Sequence, residues 1–410
     1  MPPATRHPPP ATRTHRPPPA IPMSSAPPLR FGLIGLGNIG KVHCANFAAG
    51  KIPRGILAAA SDPRPPPPGV LPGGARFFPD ADAMLASGLV DAVIVATPHP
   101  LHRALGEKVL AAGLHLMMEK PLAATKLDAG RLLAHPRKPG QRFAIMLNLR
   151  THPRYRRIRA LLAGGALGRL QRVQWTITNW FRPDAYYALS DWRATWKGEG
   201  GGVLVNQALH NLDILQWLCG MPASLRAFCQ FGRDHDIETE DAVTAFLHYE
   251  NGASGVFTTA TGEAPGVNRL EIAGTRGLVI LENEKLLHHE NALDAADYSR
   301  AASAAFGAPG VTVRELECGP AGPSHAGVLA NFVEAILDGA PLLADAAEGL
   351  KSVELANAML YSAWKDKTIP LPLDAAAYQA ALDHAAANAP PRRRVIRPAD
   401  VDMSKSYSTK

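Results

Sequence analysis

Three side chains in this sequence have the type and setting for proton and hydride chemistry: Lys120, Asn206 and His210. Lys120 follows the apolar run Leu114–Met118, and Pro121 breaks that run directly after it. A lysine at the carboxyl end of a parallel strand stands where open α/β sheets place their ligands. There its ammonium can stabilise negative charge on a substrate oxygen as hydride departs. Asn206 and His210 are four residues apart in a segment whose pattern predicts a helix over about 204–218, so both side chains emerge from one face. His210 is suited to take a hydroxyl proton at neutral pH while hydride leaves the same carbon. Asn206 can orient a neighbour but cannot serve as a base, because an amide neither takes a proton nor holds negative charge. Asp213, three residues further on, either orients the imidazole or caps the local structure.

Hydride transfer needs an acceptor, and Gly35-Leu36-Gly37-Asn38-Ile39-Gly40 lies directly between a predicted strand and a predicted helix. Gly35 permits a tight turn, Gly37 lets the backbone approach a pyrophosphate, and Gly40 lets the helix pack closely on the sheet. The phosphates then meet free N–H groups where Asn38 and Ile39 open the helix. Asp62 closes the second strand about twenty residues past the last glycine, where a carboxylate accepts hydrogen bonds from an adenosine ribose. NAD is therefore the expected cofactor. Arg64, two residues later, keeps NADP open through contact with a 2′-phosphate, and an Asp-Pro turn is the purely structural alternative for Asp62.

Three further stretches complete a pattern: Ala96-Thr97-Pro98-His99 with His102, Glu119-Lys120-Pro121, and the run from Gly200-Gly201-Gly202 to Asn206-Gln207-Ala208-Leu209-His210. As a set, in this order, they resemble the Gfo/Idh/MocA oxidoreductases, which act on sugars, cyclitols and related polyols. The resemblance runs from about Leu29 to Asp374. It implies that Lys120 is catalytic and that Glu119 and Pro121 line the nicotinamide site. It also brings Thr97, Pro98, His99 and His102 into the cofactor-binding set and makes Trp192-Arg193 a stretch that reaches back to the cofactor. The family often carries aspartate where this chain has Asn206. Substrate contacts are then expected from Lys120, Arg150, Tyr186, Asn206 and His210, with Tyr186, Tyr187 and Trp196 as candidate sugar-stacking walls and His152 beside Arg150 at the cleft. A homodimer or homotetramer through the open face of the second sheet is implied by the same resemblance.

The elements that must position these residues follow from periodicity. From Leu29, short apolar runs (Phe31–Ile34, Ile56–Ala60, Ala92–Ala96, Leu114–Met118) alternate with amphipathic stretches, which predicts a parallel sheet covered on both faces. After Phe143–Leu147 the pattern changes. Leu170–Thr178, Ala242–Tyr249, Gly255–Thr261, Asn268–Ala273 and Leu278–Leu281 meet through turns such as Glu250-Asn251-Gly252, which predicts a largely antiparallel sheet. A basic helix is expected at 154–162, and helices at about 204–218 and 324–364 should cover one face of this sheet. The expected fold is α/β: a Rossmann doubly wound parallel sheet, then an α+β domain with a large, mostly antiparallel open sheet. The units are a disordered Pro-rich tail at 1–28, a dinucleotide-binding domain at 29–148, a substrate and oligomerisation domain at 149–374, and a C-terminal helix with a basic tail at 375–410.

Composition excludes several classes. The 410 residues are 46% hydrophobic, enough for real cores, yet no stretch nears the roughly 18 to 20 apolar residues of a membrane span. The net charge of +7 resides in the two tails, so the body is neutral, which argues against a nucleic-acid-binding face. Cys44, Cys219, Cys229 and Cys318 form no CxxC pair, so free, buried thiols in a cytoplasmic protein are expected. The run Asp234-His235-Asp236-Ile237-Glu238-Thr239-Glu240-Asp241 could be taken for a metal cluster, but it reads better as an exposed acidic loop; no metal is expected, and His288-His289 reads as surface. The function expected is a nicotinamide-dependent sugar or cyclitol dehydrogenase, with a redox-neutral NAD-dependent glycosidase or a non-catalytic sensor as alternatives.

Overall fold

The computed structural model describes residues 27–390 and Ile396; nearly all of the Pro-rich tail and of the basic C-terminal tail lie outside them. Six strands, β1 (Leu29–Ile34), β2 (Gly55–Ser61), β3 (Arg76–Phe78), β4 (Ala92–Val95), β5 (His115–Met118) and β6 (Phe143–Ile145), form an all-parallel sheet in the order β3-β2-β1-β4-β5-β6. Every residue of β4 is buried, and alternate residues serve opposite faces. Val93 and Val95 pack with α3 (His102–Ala111) and α4 (Lys126–Ala134), reached from β1 through α1 (Asn38–Ala48) and α2 (Ala81–Leu85), while Ala92 and Ile94 join the other core. That second core is completed from far along the chain, by Val328, Leu329, Phe332 and Val333. The first layer is thus not built from residues 29–148 alone.

The strand order reverses beside β1, whose neighbours are β2 and β4, and a crevice at the carboxyl edge is the expected ligand position for such a sheet. Gly35, Asp62, Thr97 and Glu119-Lys120 all follow the last residues of β1, β2, β4 and β5. Chemistry scattered over eighty-odd positions of sequence is gathered on one edge by topology.

A helix, α5 (Pro153–Ala163), leads into the second sheet: β7 (Leu170–Ile177), then α6 (Asp184–Tyr187), α7 (Leu209–Cys219), β8 (Ser224–Phe231), β9 (Glu240–His248), β10 (Ser254–Ala260), β11 (Asn268–Gly274), β12 (Gly277–Glu282), β13 (Lys285–Asn291), α8 (Ala295–Ala301), β14 (Val311–Glu315), α9 (Ser324–Leu337), α10 (Ala346–Lys365), β15 (Ile369–Pro370) and α11 (Ala375–Asn388). Its nine strands run β14-β13-β12-β11-β7-β10-β9-β8-β15, antiparallel except for the parallel neighbours β7 and β10. One face packs against α5, α7 and α10. The other leaves Phe228 and Phe246 exposed on adjacent strands. The single long helical region expected at 324–364 is two helices, broken at Gly339-Ala340-Pro341 where glycine adopts a left-handed φ and proline lacks an N–H. The strands β8, β13 and β14 lack a clean apolar alternation and went unanticipated; β13 carries His288, which is buried rather than on the surface. The four cysteines are free, but only Cys44 is fully buried.

The two sheets are locked together by an ion pair. Arg150, in the 3-10 turn Asn148–Thr151 after β6, donates from Nε and Nη2 to both oxygens of Asp213 on α7 at 2.9 and 2.6 Å, and from Nη2 to Glu348 on α10 at 3.1 Å. Both Arg150 and Asp213 are almost completely buried. Arg150, expected among the substrate contacts, is thus buried in an ion pair, and Asp213 accepts from Arg150 and Gln216. Breaking a buried pair by removing one partner strands the other charge, so Arg150→Met should cost about 3–5 kcal/mol in urea unfolding, and Arg150→Met/Asp213→Leu should recover much of it.

Candidate active site

The glycine turn has the geometry its sequence predicts. Gly35 has φ +99°, and a Cβ there would lie 2.4 Å from the Ala96 carbonyl oxygen, while a Cβ on Gly40 would lie 2.1 Å from the Gly35 carbonyl oxygen. Around Gly37, by contrast, nothing stands within 4 Å of a Cβ. The turn is closed towards the protein and open in front of α1, whose first turn has no capping side chain and no acidic residue to occupy its N–H groups. Asp62 braces this turn: its Oδ2 accepts from Leu36 N at 2.9 Å and its Oδ1 from Arg64 N at 3.0 Å. The Arg64 side chain is itself largely exposed, 4.0 Å from Asp62. Thr97 Oγ1, at the end of β4, is buried with no hydrogen-bond partner among the described residues. These features fit a dinucleotide, which Gly35, Gly37, Asn38, Ile39, Gly40, Asp62 and Thr97 would hold.

The next turn along the sheet edge carries Glu119-Lys120-Pro121. Burial would raise the Glu119 carboxyl, but His43 Nε2 lies 2.8 Å from Oε1 and holds it down at about 2. Its other oxygen accepts the Lys120 backbone N–H at 3.2 Å. The Lys120 side chain is half-buried; loss of water lowers its pKa, Glu119 and Glu199 raise it, and Arg193 and Arg182 lower it. Its Nζ donates to the Asn206 carbonyl oxygen at 3.1 Å and stands 3.5 Å from Asn206 Oδ1. His102 spans the Pro121 and Thr97 carbonyl oxygens at 2.7 and 2.8 Å, tying the two loops together. His99 reaches the Glu199 carbonyl oxygen at 3.3 Å and sets its ring edge-on to Trp192, with centroids 5.7 Å apart. Both histidines therefore shape the cleft wall, and burial lowers the pKa of each.

The helix carrying His210 begins at Leu209, not near 204, and Asn206 sits in the turns before it. In those turns Ala208 N donates five residues back, to the Val203 carbonyl oxygen at 2.8 Å, out of α-helical register. The buried Glu240 carboxylate holds the segment in place, accepting Gly202 N on both oxygens and Leu204 N on one, all at 2.9 Å. Gly202 admits the approach, since a Cβ there would lie 2.1 Å from the Glu240 carbonyl oxygen. Asn206 Nδ2 donates to Glu199 Oε1 at 2.5 Å and to the Tyr186 hydroxyl at 3.2 Å. His210 is buried, and its pKa falls well below the usual value through lost water first, then the proximity of Lys120 and His325.

The run from Asp234 to Asp241 is not an exposed loop. Its second half enters β9, Glu240 and Asp241 are fully buried, and Asp241 accepts backbone N–H groups of Arg233, Asp234 and His235 at 2.7 to 3.1 Å. Tyr187 and Trp196 are core residues, Trp196 packing against Phe231 and Trp364. Tyr186 stands beside Asn206, its hydroxyl accepting from Arg193 at 2.6 Å and Gln207 at 3.0 Å. His152 caps α5 and lines a cavity of about 280 Å³ with Trp180, Asn211 and Asn268, to which neither Lys120, Asn206 nor His210 contributes. Sequence reasoning missed four residues: His43, Glu199, Glu240 and His325. His325 opens α9 with its ring edge-on to His43, centroids 5.8 Å apart, and burial together with His43 and Lys120 takes its pKa down to about 4 despite Glu119. Glu199 alone had a signal, as an acid directly before the triple glycine.

Comparison with known proteins places this arrangement in a class, the NAD-binding oxidoreductases with a Rossmann fold. The profile of the GFO_IDH_MocA oxidoreductase family with that fold matches residues 29–147, and that of the GFO/IDH/MocA C-terminal domain matches residues 155–280. An inositol 2-dehydrogenase of Rhizobium meliloti is 26% identical over 84% of this chain and 99% of its own length. A myo-inositol 2-dehydrogenase of Thermotoga maritima is 24% identical over 62% of this chain and 75% of its own. The structure of the WlbA dehydrogenase from Bordetella pertussis, in complex with NADH and UDP-GlcNAcA, superposes with a TM-score of 0.69 at 28% identity, covering 85% of this chain and all of that one. The chain belongs to the Gfo/Idh/MocA family of NAD-binding oxidoreductases.

The Glu240 carboxyl is pushed up to about 7 by burial, against the lowering effect of the N–H groups of Leu204 and Gly202. A carboxyl raised in the folded state contributes stability that is complete below its ordinary value of 4.5 and is lost as pH rises through about 7. The difference amounts to about 3 kcal/mol. Urea unfolding of the wild type against Glu240→Gln between about pH 4.5 and 7.5 should show that slope in the wild type and its absence in the variant.

Proposed function

We propose that this protein reversibly oxidises a secondary alcohol of a sugar or cyclitol, with Lys120 polarising the reacting oxygen and His210 accepting its proton. The observation that carries this reading is the convergence of Lys120 Nζ on Asn206, four residues before His210, at the carboxyl edge of the sheet that presents the glycine turn. NAD, when bound, supplies the hydride acceptor. Lys120 donates to the substrate oxygen and opposes the negative charge that builds there. His210 is neutral at physiological pH because burial, Lys120 and His325 disfavour its charged form, so it can take the hydroxyl proton and return it in the reverse direction. Asn206 and Tyr186 present polar groups for orienting the substrate, while Trp192 and Arg193 close the cleft from the second sheet's side. The relatives named for inositol oxidation support a polyol substrate. Subunits pair through the sheet face that exposes Phe228 and Phe246, and free thiols fit a cytoplasmic setting.

The test is nicotinamide absorbance with NAD and NADP against inositols, aldoses, anhydrosugars and glycosides, with released aglycone assayed in parallel. Net NADH with a free polyol is expected; aglycone release without net NADH would replace the dehydrogenase with a redox-neutral glycosidase. Lys120→Met and His210→Asn should each lower kcat by about 100- to 10,000-fold while NADH affinity, read by fluorescence, stays near wild type. Full turnover in both variants would overturn the roles of Lys120 and His210. NAD should be preferred over NADP because the Asp62 carboxylate repels a 2′-phosphate, and Asp62→Ser should narrow that preference by about tenfold or more in kcat/KM.

A further inference from the structure

We propose that Glu199 is the carboxylate of the catalytic cluster: acting through Asn206, it positions Lys120 and keeps its ammonium protonated, so that the negative charge an aspartate at 206 would carry resides one hydrogen bond further back. The inference rests on the roles of Lys120 and His210 in the proposed function.

The chain of contacts is continuous. Lys120 Nζ donates to the Asn206 main-chain oxygen at 3.1 Å and faces its Oδ1 at 3.5 Å; Asn206 Nδ2 donates to Glu199 Oε1 at 2.5 Å. An ammonium only donates and a carboxylate only accepts, so the group between them must do both, and an amide is the side chain that does so without charge. Its orientation is thereby set, oxygen towards Lys120 and nitrogen towards Glu199. An aspartate at 206 would place two carboxylates in contact, which disfavours ionisation of both. The asparagine and the glutamate are therefore two halves of one device, and the departure at 206 has a physical reason.

Glu199 is built in rather than incidental. It is 1% exposed. Its Oε2 accepts Ala194 N at 2.6 Å, Arg193 Nη1 lies 3.7 Å from Oε1, and its own carbonyl oxygen meets His99 on the opposite wall at 3.3 Å. Burial raises its carboxyl, while Arg193, the Ala194 N–H, Lys120 and Asn206 lower it. Around Lys120, Glu119 and Glu199 favour the charged amine; Arg193 and Arg182 oppose it, as would His99, His102, His210 and His325 if protonated. Glu119 already serves His43 and a backbone N–H, so Glu199 is the carboxylate linked to the lysine amine through a side chain.

The test is a charge relocation. Glu199→Gln should move the alkaline limb of kcat/KM for polyol oxidation to lower pH by about one unit and reduce kcat by about tenfold, with NAD affinity unchanged. Glu199→Gln/Asn206→Asp, which returns one carboxylate to the cluster, should restore the limb and most of kcat, whereas Asn206→Asp alone should not improve on wild type. A merely structural Glu199 would lose activity without a pH shift and without rescue. An unchanged pH profile in Glu199→Gln, or a double variant no better than it, would overturn the proposal. Should the wild type oxidise no polyol, the proposed function fails, and this inference is still read by the pH dependence of Lys120 acylation with acetic anhydride in the NADH-bound protein, followed by mass spectrometry. The Glu199→Gln titration must then lie at lower pH; identical curves would overturn the role of Glu199.

Discussion

The setting of Lys120, half-buried between two carboxylates and two guanidinium groups, is the constraint around which this structure is arranged. An ammonium withdrawn from solvent loses hydration that only hydrogen bonds and opposite charge can offset. Lys120 is surrounded by more cationic and potentially cationic groups than anionic ones, so its two carboxylates must themselves be held in the ionised form. His43 lowers Glu119 from the helix that follows the glycine turn, and Arg193 and the Ala194 N–H oppose the upward push of burial on Glu199 from the loop before the triple glycine. The amine is thus balanced from two directions, one belonging to the cofactor side and one to the second sheet. Neither sheet alone supplies the full set.

That division explains why the joint between the sheets is so heavily polar. Arg150, Asp213 and Glu348 bind the turn after β6 to α7 and α10, and Lys126 reaches Glu354 at 2.6 Å from α4. Apolar contacts would hold the sheets together without determining their rotation, whereas a bidentate guanidinium–carboxylate pair tolerates little. Since Asn206 must meet Lys120 across this joint to within a hydrogen bond, angular play there would separate the two. α9 adds a second constraint by returning from residue 324 to complete the second core of the first sheet and bringing His325 edge-on to His43, behind Glu119.

The parts of this design that were legible in sequence are those with a local cause. The glycine turn, the carboxylate ending β2 and the lysine ending β5 each follow from an apolar strand and the residues directly after it. Topology then carries them to one edge without further information. What was not legible depends on partners far apart in sequence. Arg150 and His152 looked alike as polar residues after a strand, yet one is locked to Asp213 and the other lines a separate cavity. The acidic run at 234–241 looked solvated because its composition says nothing about the backbone N–H groups waiting to be accepted by Glu240 and Asp241. Helix periodicity placed Asn206 on a helix face, but the chain runs through turns over 203–208, with Ala208 N bonded back to the Val203 carbonyl oxygen, and the helix begins only at Leu209.

The balance of charge also separates the roles of the two groups proposed to act on the substrate oxygen. Lys120 and His210 cannot both be protonated cheaply within one buried site, and each disfavours the charged form of its neighbour. Carboxylates stand near the lysine through Glu119 and through the Asn206–Glu199 link, while the strongest influences on His210 are burial and surrounding cations. The surroundings thus favour the proton on the lysine over the imidazole, which is the distribution the proposed oxidation of an alcohol requires at the outset. In the reverse direction the same asymmetry makes an imidazolium beside Lys120 a transient species, inclined to pass its proton to the developing alkoxide. One arrangement of fixed charges thus serves both directions, provided the carboxylate reaches the cluster through a neutral bridge rather than by standing in direct contact with the imidazole.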